Sequence, residues 1–296
     1  MNIKKIPISG PEPLALLRII LSITLIVQVV RSYDYFELLY SVDVFHKLSN
    51  YSSPYWSVIS NEFNIYSLLQ EGDNFEILII IYVFSLTSLL FGFKTKLSAF
   101  ISLLLFTVIK NSSFISAYGA YDFAVIGLFY CLILPVGHAY SIDSIKNNYF
   151  DSSIYTISKY ILMGQMSIVY VSASIEKASG IEWFNGESVW RTFARPSAIG
   201  QDFIFMYDFP IILSIIGIIV MLIQASYPLL LINKSTRKIN LILVEFMHFS
   251  IAIALDLWIF SALMLAINLG ALVDCRSLKK IDFNLISRNI KYNYEK

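Results

Sequence analysis

The sequence predicts an all-α membrane protein, a polytopic bundle of about eight transmembrane helices. Of its 296 residues, 57% are hydrophobic and only 15% are charged, and the mean hydropathy is +0.67. A soluble domain carries about 25% charged residues. The net charge of +1 gives no basis for nucleic-acid binding. The two cysteines show neither CxxC spacing nor a cysteine–histidine cluster, so no metal site or disulfide framework is indicated.

The first predicted span, Pro13–Val30, begins at a proline, where the missing N–H costs nothing. We interpret it as a membrane helix because it contains Arg18 and lacks the small-residue pattern of a cleavable signal peptide. Arg18 either pairs with an acid that locks two helices together or has a functional role. The connection Ser32–Asn74 is too polar to span, and its residues 36–44 suggest a short amphipathic surface helix. Three further spans follow: Phe75–Phe91, Leu97–Ile109 and Ala120–Pro135.

The second half of the chain contains the predicted spans Tyr155–Ile175 and Pro210–Ile232 and a final apolar run, Leu241–Val273. At 1.5 Å per residue this last run would be about 50 Å long, whereas the hydrocarbon core is roughly 30 Å thick. It is therefore either steeply tilted or broken into two spans near Leu255–Trp258.

The positive charges favour the broken alternative and place both termini in the cytoplasm. With eight spans every inner turn is basic, as the positive-inside rule requires, whereas seven spans would leave a basic tail outside. The membrane domain is predicted to cover residues 10–275 and a cytoplasmic tail residues 276–296, with the protein in the cell membrane. The inner basic residues are Lys94, Lys96, Lys146, Lys159, Lys234, Arg237, Lys238, Arg276, Lys279 and Lys280.

The leading candidate for a functional site is Tyr170–Gly186, where a hydrophobic helix runs into Glu176-Lys177 and then reaches Trp183. Ionisable residues at the border of an apolar span are costly and often mark a pathway or a site. The alternative is a lysine that snorkels to the membrane surface beside an interfacial tryptophan.

Other ionisable residues are expected near the same outer face. The predicted topology places Arg31, Asp122 and Asp256 toward it, and His248 seven residues into a late helix from the inner side. Glu245 shares a helix face with His248. Each has a structural alternative: His248 can hydrogen-bond across helices, and Asp122 can interact with a helix dipole.

The spacing of Lys177, Trp183 and Gly186, K-x5-W-x2-G, resembles the segment that carries the active lysine of vitamin K-dependent γ-glutamyl carboxylase. The bacterial relatives of that enzyme are the horizontally transferred transmembrane (HTTM) domain proteins. Other segments resemble the family in the same order, over about residues 10–275. They are Leu14–Arg31, Gly92–Leu97, Tyr118–Asp122, Leu134-Pro135, Ser141-Ile142-Asp143 (with Asp143 expected to cap a short helix) and Phe246–Leu265.

The resemblance implies that Lys177 is a catalytic base, with His248 as the second catalytic residue. It also implies that Trp183 shapes the pocket and that a reduced quinone can be the cofactor. The predicted substrate site combines Trp183 and Gly186 of the motif with Arg31, Asp122 and Asp256, which the topology places toward the outer face. Three features depart from the carboxylase. Glu176 replaces a second lysine, the loop Lys110–Ser116 has no histidine, and nothing after about residue 280 can form the large lumenal domain. Carboxylation of protein glutamates is therefore not expected.

Three function classes are weighed. The first is a membrane enzyme that modifies a small substrate or peptide at the outer face. The second is a non-catalytic maturation or export partner of a secreted peptide toxin, because the chain is similar in size to the membrane subunit of the bacterial sporulation-delaying toxin maturation system. This would involve a peptide and a partner membrane or periplasmic protein. The third, a transporter, is disfavoured because no inverted repeat or matching pair of broken helices is visible.

Overall fold

The computed structural model describes residues 10–35, 74–112, 118–146, 152–194 and 204–273. Within these ranges the chain forms α-helices and short 3-10 helices joined by turns, with no strand. The surface helix predicted at residues 36–44 and the tail at 276–296 lie outside the described residues. The helices are α1 (Glu12–Ser32), α2 (Asn74–Phe91), α3 (Thr95–Ser112), α4 (Gly119–Ile133), α5 (Ile142–Lys146), α6 (Ser152–Ala178), α7 (Glu187–Phe193), α8 (Pro210–Leu230), α9 (Lys234–Leu255) and α10 (Trp258–Leu272).

Apolar helices confirm that this is a membrane protein. Among the residues that the structure describes, three helices are long and apolar enough to cross a bilayer, namely Glu12–Tyr35, Pro210–Leu230 and Lys234–Leu255, with mean hydropathies of 2.2, 2.1 and 1.7. Three shorter apolar helices lie at Glu76–Phe91, Gly119–Ile133 and Trp258–Leu272. The count of eight crossings stays a prediction.

The predicted break in the last apolar run is present. Helix α9 ends at Leu255 and α10 begins at Trp258. Between them Asp256 adopts a left-handed conformation, with φ 55° and ψ 28°, which aspartate tolerates better than most residues. The Ser261 hydroxyl donates a hydrogen bond of 2.7 Å to the His248 carbonyl. This bond ties the two helices together as they pack against each other.

Helix α9 begins seven residues before the predicted start at Leu241. The basic residues expected in a turn form its first turns instead. The Arg237 guanidinium donates to the Leu231 carbonyl at 2.7 Å. An arginine side chain can hydrogen-bond a free carbonyl group at the end of the preceding helix. The charge of Arg237 is therefore compatible with helix at this position.

Helices α1 and α10 lie at the centre of the bundle. Helix α1 packs against α2, α4 and α10, and α10 also packs against α4, α6 and α9. A Cβ on Gly270 would lie 3.2 Å from Leu162 Cδ1 and 3.4 Å from Leu17 Cβ, so α1, α6 and α10 approach closely at this residue. The leucines of α1 that repeat every three or four residues are all buried, as a core-facing stripe requires: Leu14, Leu17, Leu21 and Leu25.

Arg18 is fully buried where α1 meets two turns of the chain. Its Nη2 donates to the Tyr140 carbonyl at 2.5 Å. Gly92 has φ 65°, and a Cβ there would overlap both Arg18 Nη1 and Ser141 Cβ. Arg18 therefore contacts the Gly92 turn and the Ser141 turn. Among the described residues its side chain donates to a carbonyl and makes no close ion pair, while Asp143 attracts it electrostatically.

Asp143 caps a different helix from the one expected. The short helix α5 is capped by Ser141, whose Oγ accepts from the Ser144 amide at 2.9 Å. The Asp143 carboxylate instead accepts from the amides of Lys94 (3.0 Å) and Thr95 (2.7 Å) and so caps α3. The sequence indicated α5 because Asp143 lies next to the start of that helix. The turn that Asp143 contacts instead lies 48 residues away in the chain.

Candidate functional site

The end of α6 brings Lys177 and Trp183 together. After α6 ends at Ala178, the chain passes through an extended Gly180 into a short 3-10 turn, Ile181–Trp183. Lys177 Nζ lies 5.1 Å from the centre of the Trp183 ring and donates to the Ala173 carbonyl at 3.3 Å. This is cation–π geometry, which favours the charged amine by about 0.5–2 kcal/mol.

Lys177 lies beyond the predicted span Tyr155–Ile175 and is partly buried. Burial lowers the pKa of the Lys177 amine, and the neighbouring Glu176 carboxylate opposes that shift. Desolvation is the larger of the two causes, so the amine is a stronger candidate for a neutral base than a lysine in water.

Two glycines let the Trp183 loop approach α8. Gly186 has φ 84°, and a Cβ there would lie 2.8 Å from both Leu213 Cβ and the Ser214 amide. A Cβ on Gly217 of α8 would overlap the Trp183 carbonyl. Gly186 thus positions the loop by its conformation and by its lack of a side chain.

A second cluster lies where α1 ends, α4 begins and α9 breaks. Arg31 Nη2 and Asp256 Oδ2 are 4.0 Å apart, with both side chains 55% exposed. They border a cleft of about 300 Å³. Burial raises the pKa of Tyr118 to about 12, Tyr121 adds to that shift, and Arg31 opposes it. The cleft is lined by Gln28, Arg31, Ser32, Tyr118, Tyr121, Asp256 and Ile259.

Asp122 does not line this cleft. It lies in the first turn of α4, as a residue interacting with the helix dipole would. Its carboxylate pairs with Lys110 Nζ at 2.5 Å, and its side chain is 65% exposed.

His248 lies in a third cluster, in the interior of the bundle. It is only 3% exposed, and its Nε2 is 3.0 Å from the Tyr170 hydroxyl. The Asn268 amide donates to the same hydroxyl at 2.8 Å, and Tyr227 donates to Asn268 Oδ1 at 3.3 Å. The predicted alternative, a histidine that hydrogen-bonds across helices, describes this arrangement.

The predicted site residues therefore form separate groups instead of one pocket. Lys177 contacts Trp183, and Arg31 contacts Asp256, whereas no hydrogen bond, ion pair or ring contact joins Lys177 to His248. Helix α6 links the two: Tyr170 lies seven residues before Lys177, about 10.5 Å along the helix axis and on the same face.

Sequence reasoning missed the tyrosines and amides of these clusters. Tyr170, Ser174 and Lys177 follow the i, i+4, i+7 spacing of one helix face, which was the available signal. Tyr118 and Tyr121, one turn apart at the start of α4, gave a similar signal. Among the residues that the structure describes, no group of three histidine, cysteine or acidic side chains is placed to hold a metal ion.

A comparison with family models finds a match to the HTTM domain over residues 9–270. No curated protein and no solved structure matches the chain.

Proposed function

The chain belongs to the HTTM domain family, a family linked to membrane carboxylase-like proteins, and from this premise we propose that it is a membrane-embedded enzyme. It acts on a small substrate or a peptide at the outer face, and Lys177 is its base. The observation that carries the proposal is the partly buried Lys177 amine beside Trp183. Desolvation lowers the pKa of this amine, which increases the fraction of neutral base at a given pH.

The surroundings of Lys177 fit an aromatic quinol, the cofactor class that the resemblance implies. The Trp183 indole offers a face for a ring, and Ile175, Ile181 and Phe184 expose apolar side chains near it in the chain. When bound, a reduced quinone would supply reducing equivalents for oxygen-dependent chemistry. Lys177 would hold the proton taken from the ligand at Nζ, while Trp183 shields that amine from water.

Oxygen-dependent oxidation of a reduced quinone by the purified protein in lipid nanodiscs tests this proposal. We expect the wild-type chain to catalyse it, Lys177→Ala to abolish it, and the matched control Lys238→Ala, an exposed lysine of α9, to retain it. Full activity of Lys177→Ala, or no oxidation by the wild-type protein at any pH, would reject Lys177 as a quinol-dependent base.

The enzyme is proposed to cross the membrane eight times, with both termini in the cytoplasm. The break at Asp256 and the basic inner turns support this topology. Single cysteines at Ser179 and Ser235, in a chain with Cys131 and Cys275 replaced by serine, test it. A membrane-impermeant thiol reagent should label position 179 from outside and position 235 only after lysis. The reverse pattern would invert the topology.

A second function is supported by the contacts of Lys177. Its amine is engaged with the Trp183 ring and the Ala173 carbonyl, as a lysine that holds a loop would be. On that basis the chain would act as a non-catalytic maturation or export partner of a secreted peptide in a bacterial membrane. Deletion of the gene would then stop peptide maturation, and expression of the Lys177→Ala variant would restore it. If the protein is instead an enzyme with Lys177 as its base, this variant would not restore maturation.

A further inference from the structure

The interior of the bundle contains a connected set of polar side chains that the proposed reaction does not use. We call Tyr170, Tyr227, Glu245, His248 and Asn268 the polar core. They come from α6, α8, α9 and α10, four helices that pack around one another. Tyr170, Tyr227 and Asn268 are at most 1% exposed and His248 is 3% exposed.

Hydrogen bonds connect the members of the polar core. Tyr227 donates to Asn268 Oδ1, and Asn268 Nδ2 donates to the Tyr170 hydroxyl oxygen. The same hydroxyl lies 3.0 Å from His248 Nε2, and the tautomer of the imidazole decides which of the two donates. With the imidazole proton on Nδ1, Tyr170 donates to Nε2, and the buried Nδ1 has no hydrogen-bond partner.

Glu245 brings a carboxyl group to the same place. It is close enough to Tyr170 and Tyr227 to interact with them electrostatically and to Asn268 for a hydrogen bond. Its buried Oε1 has no partner. Burying an ionised carboxylate with an unpaired oxygen costs far more than burying the neutral acid.

Two more buried oxygens without partners adjoin this set. Asn240 donates to the Tyr227 carbonyl at 3.0 Å but leaves its own Oδ1 unpaired, and Gln224 Oε1 is unpaired one turn before Tyr227. An unsatisfied buried polar group is destabilising. Internal water is the usual partner of such groups, and this site offers it both donors and acceptors.

We propose that the polar core is an intramembrane proton-binding site, in which Glu245 and His248 share one proton through Tyr170, Asn268 and internal water. The O–H bond of the Glu245 acid breaks as an N–H bond forms at His248 Nε2. Tyr170 gives its proton to that nitrogen and regains one from the water beside Glu245. A neutral acid and a neutral imidazole thereby become a carboxylate and an imidazolium, and the net charge does not change.

No fixed charge on the neighbouring helices neutralises this pair. Helix α6 presents Tyr170 and carries Lys177 two turns further on, α8 presents Tyr227, and α10 has no titratable side chain. On α9, Arg237 is held by the Leu231 carbonyl. Helix α7, which also packs on α9, has Glu187 and Arg191 paired with each other. Within the part of the chain that the structure describes, the hydrogen-bonding neighbours of the shared proton are the hydroxyls of Tyr170 and Tyr227 and the amide of Asn268.

Infrared difference spectroscopy of the full chain in lipid nanodiscs tests the proposal directly. At low pH the site holds two protons, on the Glu245 acid and on the His248 imidazolium. As pH rises it releases one of them to water and keeps the shared proton, so we expect the C=O stretch of a protonated carboxylic acid to disappear, and Glu245→Gln to remove that change. His248→Phe should raise the midpoint by about one pH unit, tenfold in proton concentration, because the imidazolium that balances the carboxylate is gone. Tyr170→Phe should raise it similarly, whereas the exposed control Glu176→Gln should leave it unchanged.

Thermal unfolding checks that each variant is folded. If Glu245→Gln does not fold, Glu245→Asp replaces it, because this variant keeps a carboxylic acid and should shift the C=O band. The proposal is overturned if the C=O band does not respond to pH. It is also overturned if the pH midpoint of the band is the same in the wild type, His248→Phe and Tyr170→Phe. Loss of the band on adding sodium ions at constant pH would also overturn it and assign a metal cation instead. Lys177→Ala should leave the band intact, so this test is independent of the quinol experiment.

Discussion

Thr95 and Asp143 meet in a double hydrogen bond that joins two turns 48 residues apart in the chain. The Asp143 carboxylate accepts from the Thr95 hydroxyl at 2.6 Å and from the Thr95 amide at 2.7 Å. An acidic cap on these first N–H groups also interacts favourably with the α3 dipole. The contact therefore fixes where α3 begins.

Asp143→Asn should lower the free energy of unfolding by about 0.3–1 kcal/mol, because asparagine keeps a capping oxygen but loses the charge that interacts with the α3 dipole. Burial tends to raise the pKa of Asp143, but the hydrogen bonds from Thr95 and Lys94, with help from Arg18, lower it overall. A depressed folded-state pKa gives stability that is present above the unfolded value, about 3.9, and lost as pH falls through the folded value. When unfolding is measured in detergent at several pH values, the wild type should lose this stability at acid pH. The Asp143→Asn variant should not show this loss. Asp208→Asn, at an exposed residue, is the control and should keep the acid-side loss.

Gly92→Ala should destabilise the protein by about 2–5 kcal/mol, because the new methyl group combines left-handed strain with overpacking against Arg18. The midpoint of thermal unfolding measures the effect. Gly119→Ala is the matched control, since a Cβ there meets nothing within 4 Å. Equal midpoints for the two variants would show that Arg18 does not pack on Gly92.

Gly217→Ala should move the Trp183 loop away from α8, because its Cβ would overlap the Trp183 carbonyl. In a chain whose other three tryptophans are replaced by phenylalanine, the fluorescence of Trp183 reports this displacement. Gly164→Ala, where a Cβ has open space, should leave the emission unchanged. An unchanged spectrum for Gly217→Ala would mean that the loop does not rest on α8.

Asp256→Gly should change stability by only a few tenths of a kcal/mol, whereas Asp256→Ile should cost about 1–2 kcal/mol or more. The reason is that the left-handed φ of 55° suits glycine and opposes a β-branched residue. The ion pair with Arg31 contributes little because both side chains are half-exposed. Chemical unfolding of both variants checks the order. A larger loss for glycine than for isoleucine would show that the charge, and not the turn, matters at this position.

Helix positions could be predicted well because apolar length is a local property. The predicted span Pro13–Val30 lies inside Glu12–Ser32, and Phe75–Phe91 differs from α2 by one residue. The break near Leu255–Trp258 was also predictable, since one continuous helix of that length exceeds the bilayer. The early start of α9 was not, because charged residues at the membrane border are compatible with both helix and turn.

The site was only partly predictable. Lys177 and Trp183 are six residues apart, so their contact follows from one helix end and a short turn. Tyr170, the partner of His248, by contrast lies 78 residues away from it. The helix face that Tyr170 shares with Lys177 gives no indication of which distant residue it contacts. The contact between Arg31 and Asp256 depends in the same way on how α1 packs against α10.

The sequence by itself determined that this is a helical membrane protein of the HTTM type, where its helices lie, and that its last apolar run is broken. These properties depend on hydropathy and spacing within a few turns of helix. Only the tertiary structure decided that Lys177 and His248 contact different partners, that Asp143 caps α3, and that Glu245 joins a buried polar core. Those outcomes depend on which helix faces meet, and packing across the whole bundle selects these faces.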